Sequence, residues 1–217
     1  MGVEALVFDF DGLLMETETT LLESWRWEWR RHGLELDEGG FFADHGGDTS
    51  EDRYAALAMA VGAGYDRDAS HARRNAYRER AHLTLGLAPG IGAWLDEAEE
   101  RGLRLAVASS SRGAWVRGNL GRTGDLSRIE VLASGDEVGT HKPDPAVYHL
   151  ALERLGIPAG RAVAFEDSPH GVTAAASAGL RCVAVPNPFT AHARYGHADL
   201  VLSSAASMTL AEVLDRL

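Results

Sequence analysis

Basic residues are scarce in this 217-residue chain, and lysine is nearly absent: 21 Lys and Arg stand against 32 Asp and Glu, and 20 of those 21 are arginine. The net charge of −11 argues against nonspecific nucleic-acid binding, which needs clustered basic side chains to neutralise phosphates. It leaves room for a small phosphorylated ligand, because local charge can oppose the overall balance. Cysteine is just as rare. The single Cys182 cannot close an intramolecular disulfide, and in the apolar run Arg181-Cys-Val-Ala-Val it reads as a core thiol rather than a nucleophile. No apolar stretch approaches the ~20 residues of a membrane span. No basic segment followed by an apolar one marks a signal peptide, so a cytoplasmic protein without membrane or nucleic-acid partners is expected. Repeats, low-complexity tracts and long charge runs are also missing, and oligomeric state leaves no trace in the sequence.

What is present is an alternation of apolar runs and helical patterns. Val3 to Phe10, Leu103 to Ser109, Ile129 to Ala133, Ala162 to Phe165, Cys182 to Val185 and Leu200 to Leu202 read as strands. Their nearly continuous apolar character suits a parallel sheet covered on both faces. Ile91, Trp94, Leu95 and Ala98 share a helical spacing, as do Val147, Leu150, Ala151 and Leu155. Another helix carries its own punctuation, with Ser168 as N-cap, Pro169 at the first position and Gly179 past the end. The pattern predicts an α/β fold, a doubly wound parallel sheet.

Residues 16–85 break the rhythm, with helical patterns alone: Leu21, Leu22, Trp25, Trp29 and His32, then Tyr54, Leu57, Ala58 and Val61, then an arginine-rich stretch from His71 to Leu85. So long an insertion is more than a loop. It predicts a separate helical cap domain over the C-terminal strand ends, with residues 1–15 and 86–217 forming the core. Trp25 and Trp29 are expected in the cap core. The arginines between Arg67 and Arg80 are expected on a solvated face, although one could reach a substrate anion.

The chemistry gathers at strand ends. Asp9-Phe-Asp11-Gly12 closes the first strand, and alternation would put both carboxylates on one side, their Cα atoms about 6.5–7 Å apart. Two such acids repel unless a cation or shared proton intervenes; a strand ending in acidic turn residues is the blander alternative. Ser109-Ser110-Ser111 follows the second strand, where hydroxyls and amides suit phosphate oxygens, although serines are ordinary turn residues. Thr140-His141-Lys142-Pro143-Asp144-Pro145 leads into a helix that Asp144 and Pro145 would start, and Lys142 could face an anionic transition state. Phe165-Glu166-Asp167-Ser168 supplies a second acidic pair. Rival readings fail on residues: an EF-hand loop from Asp9 wants Glu where Thr20 stands, and Gly62-Ala-Gly64 lacks the third glycine of a dinucleotide loop.

With these four motifs in order, the chain resembles the haloacid dehalogenase-like hydrolase superfamily over essentially its whole length. The resemblance is to the helical-cap branch that contains β-phosphoglucomutases and small sugar-phosphate phosphatases, and it implies a Rossmann-like core. It further implies a nucleophilic Asp9 that forms an aspartyl-phosphate, and Asp11 as general acid and base. Mg2+ would be held by Asp9, the Asp11 carbonyl and Asp167, with Glu166 in or near that set. Gly12, Ser109, Ser110 and Lys142 would hold the phosphoryl group. Dehalogenating members lack the second aspartate, so Asp11 favours phosphoryl transfer. Phosphonate hydrolysis uses a cap lysine that this chain does not have. Mutases carry a histidine shortly after the first motif and basic cap residues; here Leu21 stands near the former position, the loop His45 to Asp52 has no arginine, and Glu16 replaces the usual aspartate. The expectation is a phosphatase of a small phosphorylated metabolite, probed in the cap by Thr17, Glu18, His45, Asp48 or Arg78. A β-phosphoglucomutase-type mutase and a catalytically silent binding protein are the alternatives. Closure is expected to hinge at Leu14 to Thr17 and Leu85 to Gly90.

Overall fold

The computed structural model describes residues 2–39, 41, 50–191 and 193–217. His45 and Asp48, two cap-side candidates, lie outside the described residues. The chain separates into two compact units, 1–16 with 86–217 and 17–85.

The first unit is built on six parallel strands: β1 (Ala5–Phe8), β2 (Arg104–Ser109), β3 (Val131–Ser134), β4 (Ala162–Glu166), β5 (Arg181–Ala184) and β6 (Leu200–Val201), in the order β3-β2-β1-β4-β5-β6. The helices are α4 (Ile91–Glu100), α5 (Gly113–Thr123), α6 (Ala146–Leu155), α7 (Pro169–Ser177) and α8 (Leu210–Asp215), after α1 to α3 of the second unit. This is the doubly wound, Rossmann-like α/β fold, whose strand order reverses between β1 and β4 and leaves a crevice at their carboxyl ends.

Period-two alternation sorts the strands by size. Ala5, Val7, Ala106, Ala108, Ala162, Ala164, Cys182 and Ala184 share one face with α6 and α7. The opposite face carries Leu6, Phe8, Val107 and Phe165, all fully buried. Phe8 stacks on Phe165 at 4.8 Å, and Trp94 of α4 meets Phe165 at 5.0 Å. The alanine face lets helices approach closely, and the other is filled by rings and branched side chains. Cys182 is buried as expected.

β1 is shorter than its apolar run. Past Phe8 the Asp9 amide extends the ladder, to the Phe165 carbonyl at 3.0 Å, before Gly12 and Met15 close a turn, Gly12 N to Met15 O at 2.8 Å. Two helices carried no clear signal. Gly113, Gly118 and Gly121 dilute α5, and α8 is six residues long, fixed by a capping box between Thr209 and Glu212. α7 starts on the Ser168 cap as predicted, its hydroxyl accepting from Gly171 N.

The second unit contains α1 (Thr17–Arg31), α2 (Ser50–Val61) and α3 (Arg67–His82) around Trp25, Tyr54 and Leu57, with Trp29 packed partly buried beside them. α3 begins earlier than its pattern suggested because the Asp66 carboxylate caps the Ala69 amide. The expected solvated arginine face holds for Arg80 and is corrected for Arg74. Arg74 is buried, its guanidinium 3.5 Å from the Trp25 ring centre and donating to Tyr54 and Ser24, and Arg73 pairs with buried Glu28. A flat, weakly hydrated cation stacks on aromatic rings in a way that an ammonium does not.

In the first unit, Glu137 clamps the turn after β3. It accepts from the Ser134 amide at 3.1 Å and hydroxyl at 2.6 Å, and from Arg154 at 2.7 Å. Arg154, then Ser134, hold its carboxyl at about 2 instead of 4.5. A depressed carboxylate stabilises the fold above its unfolded value and loses that contribution as pH falls through the folded one. Urea titrations should therefore show wild type losing more stability than Glu137→Gln between pH 4.5 and 2, with parallel behaviour above that window.

Candidate active site

Every group of the site hangs from a strand end or the turn after it. Lys142 precedes α6, and its ammonium reaches the Asp9 carboxylate at 2.5 Å, Glu166 Oε1 at 2.6 Å and the Ala108 carbonyl at 2.8 Å. All three donor directions of the one lysine are thus used, in a place where it is 7% exposed. Burial disfavours its charge, but Asp9 and Glu166 outweigh this and hold it charged, above the ordinary range. Tyr148 on α6 donates to the same Glu166 oxygen at 2.6 Å, and its ring lies 5.0 Å from the ammonium. Burial pushes the Tyr148 hydroxyl well above its usual value, so it stays a donor.

Asp9, Glu166 and Asp167 form a buried cluster in which one carboxylate oxygen of each lies within 4.8 Å of the others. Two of these acids, Asp9 and Glu166, share the one ammonium. Burial, then the Glu166 and Asp11 charges, push Asp9 up to about 8 against the pull of Lys142. That excess negative charge and the all-oxygen donor set fit a hard divalent cation. Asp167 is oriented by Asn187, whose amide donates to Oδ2 at 2.7 Å, and by Tyr195, whose hydroxyl donates to the Asp167 carbonyl at 2.7 Å. Glu166 lies against Gly171, where a Cβ would come within 2.0 Å of its carboxyl carbon.

The ladder stops before Asp11, whose carboxylate is held by the turn after β2: Ser111 Oγ donates to Oδ2 at 2.5 Å and Trp115 Nε1 to Oδ1 at 3.0 Å, and its charge still acts on Asp9. Gly12 needs correction as a phosphate-holding amide, since its N–H donates to the Met15 carbonyl at 2.8 Å. Its φ of +84° and lack of side chain instead make room for Asp167, whose Oδ2 would sit 2.2 Å from a Cβ. Ser109 is buried and its hydroxyl accepts the Ser111 amide at 3.1 Å, leaving the hydroxyl proton to donate. Ser110 is exposed, its carbonyl packed on Gly135. In the other unit Thr17 is buried, and Glu18 and Arg78 are half-buried.

Tyr148, Asn187 and Trp115 carry no signal in the motifs, and Ser111, read there with Ser109 and Ser110 as suited to phosphate oxygens, bonds Asp11 instead. Asn187 had a usable signal, because it follows β5 in the crevice-facing turns. A shallow cavity of about 530 Å³ lined by Val3, Arg101, Leu103 and Arg181 lies at the opposite, N-terminal ends of the strands and shares none of these groups.

The haloacid dehalogenase-like hydrolase family model matches residues 6–185. The chain belongs to this family. It is 35% identical over 231 residues to protein CbbY of Rhodobacter capsulatus, covering 98% of this chain and 100% of that protein. It is 31% identical over 182 residues to a phosphorylated carbohydrates phosphatase of Thermotoga maritima, covering 82% of each. A crystal structure of a CbbY variant from Rhodobacter sphaeroides with xylulose-1,5-bisphosphate superposes with a TM-score of 0.78 at 32% identity, over 96% of this chain and 98% of that one. Within the family, this hydrolase is a phosphoric monoester hydrolase.

Gly12→Ala should leave the protein folded, at a cost of about 1–2 kcal/mol for the positive φ. It should cut kcat/KM about a hundredfold by displacing Asp167, a loss of the size that small misplacements cause. Thermal melts and steady-state assays on the same sample check both.

Proposed function

We propose that this hydrolase dephosphorylates a small sugar phosphate with Mg2+, through an aspartyl-phosphate on Asp9. The observation that carries the reading is the cluster of three buried carboxylates at the β1/β4 crevice, two of which, Asp9 and Glu166, meet the one lysine. The sheet unit is read as catalytic, in a cytoplasmic enzyme, and the helical unit as the cap that sets specificity. Likeness to a carbohydrate phosphatase, and to CbbY holding a sugar bisphosphate, supports the substrate class.

In the first half-reaction an Asp9 oxygen attacks phosphorus, the O–P bond to the sugar breaks, and Asp11 gives its proton to the departing alkoxide. In the second, Asp11 takes a proton from water as the water oxygen attacks phosphorus. The bond to Asp9 then breaks and inorganic phosphate leaves. Lys142 places positive charge beside the transferring group, and Ser109 and Ser110 lie at the β2 end to meet its oxygens. Asp9 and Asp167, with the Asp11 main-chain carbonyl, would hold the cation, while Glu166 fixes Lys142 and adds its charge. A bound Mg2+ would neutralise developing charge on the phosphoryl oxygens.

A panel of phosphorylated sugars should release inorganic phosphate with Mg2+ and none after chelation. Conversion of a hexose 1-phosphate to its 6-phosphate without release would mark a mutase instead. Asp9→Asn should abolish turnover with an unchanged circular dichroism spectrum; wild-type-like hydrolysis would sink the assignment. Asn187→Leu should raise the Mg2+ concentration for half-maximal activity by about 10- to 100-fold, the usual effect of losing a partner behind a ligand.

A further inference from the structure

The acid–base carboxyl group of this reading is held in a fork. Each Asp11 oxygen accepts from a different side chain of the β2–α5 turn, Oδ2 from Ser111 and Oδ1 from Trp115. Ser111 lies in the turn before the α5 N-cap, Arg112, and Trp115 in the first turn of α5, so both donors come from one short segment. The turn itself is fixed from behind. The Gly113 amide donates to Asp136 Oδ1 at 2.9 Å, and a Cβ at Gly113 would meet Ser134 Oγ at 2.9 Å. At Gly135 a Cβ would come within 2.0 Å of the Ser110 carbonyl oxygen, so that contact too is backbone against backbone.

The two donors differ in kind. A serine hydroxyl donates or accepts, whereas an indole N–H only donates. Ser111 can therefore stay bonded to Oδ2 whether that oxygen is bare or carries a proton. Trp115 can serve Oδ1 only as an acceptor, which fixes the plane of the group and reserves the other oxygen for the proton. We propose that Trp115, together with Ser111, is a positioning residue that sets the orientation of the Asp11 carboxyl group for proton transfer to the leaving group. This rests on the assignment of Asp11 as general acid, and it extends the site to α5, which no motif reaches.

Leaving-group dependence separates positioning from packing. An alkyl alkoxide needs a proton as it departs and p-nitrophenolate does not, and kcat/KM reports the first half-reaction alone when that step is irreversible. The Mg2+-loaded full chain and its Asp11→Asn, Trp115→Phe and Ser111→Ala variants are assayed on p-nitrophenyl phosphate and on the sugar phosphate that wild type hydrolyses fastest. Trp115→Phe should lower kcat/KM for the sugar phosphate about tenfold or more, in keeping with a lost hydrogen bond to a charged group. It should change p-nitrophenyl phosphate by less than about twofold, whereas Asp11→Asn should lower kcat/KM for both substrates and lose at least about tenfold more on the sugar phosphate than on p-nitrophenyl phosphate. If Asp11→Asn splits the substrates while Trp115→Phe lowers both equally or neither, the positioning role is overturned and the acid assignment stands. If Asp11→Asn shows no split, the acid assignment fails and the proposal with it. Ser111→Ala removes the other arm of the fork, so a split there must also appear should Trp115→Phe not fold.

Discussion

One buried ammonium organises the active site. Lys142 ties the end of β1 through Asp9, the body of β2 through the Ala108 carbonyl and the end of β4 through Glu166. Removing one partner of such a buried pair costs about 3–5 kcal/mol, because the other charge is left uncompensated. The surroundings are shaped to keep it satisfied. Tyr148 meets Glu166 from α6, and Gly171 leaves the space that Glu166 fills. With a single lysine in 217 residues, no second amine can take over.

That arrangement depends on the sheet being two-faced. Small residues under α6 and α7 bring those helices close enough for Tyr148 and the lead-in carrying Lys142 to reach the strand ends. Phe8, Phe165 and Trp94 brace the other face, fixing β1 against β4 where the strand order reverses. The crevice at that reversal receives the carboxylates of both strand ends. The result is an electrostatic trap, three buried acids beside one base, which favours a divalent cation and an anionic transition state together.

The strands, the α7 cap and the two acidic pairs were legible because each has a local cause, in apolar runs, in Ser168-Pro169, or in charges that have no reason to end a buried strand. Trp115 was not, and Ser111 was legible only as a phosphate-facing turn residue, since their partner Asp11 lies about a hundred residues away and α5 is diluted by glycine. Gly12 misled for a related reason. A glycine after Asp11 reads as a source of amides, but whether its N–H points outward depends on a turn closed by the Met15 carbonyl. Arg74 reads as solvated until Trp25 and Tyr54 are seen around it, from two other helices. Long-range partners decide these cases, and sequence spacing does not carry them.

The central claim is that Asp9 carries the phosphoryl group between the two half-reactions. Acid quenching during turnover of a sugar phosphate, followed by peptide mapping by mass spectrometry, tests it most directly. The account predicts a phosphoryl adduct on Asp9 that disappears as substrate is exhausted and is missing in Asp9→Asn. An adduct on another residue, or steady turnover with no phosphoenzyme in rapidly quenched samples under single-turnover conditions, would contradict it.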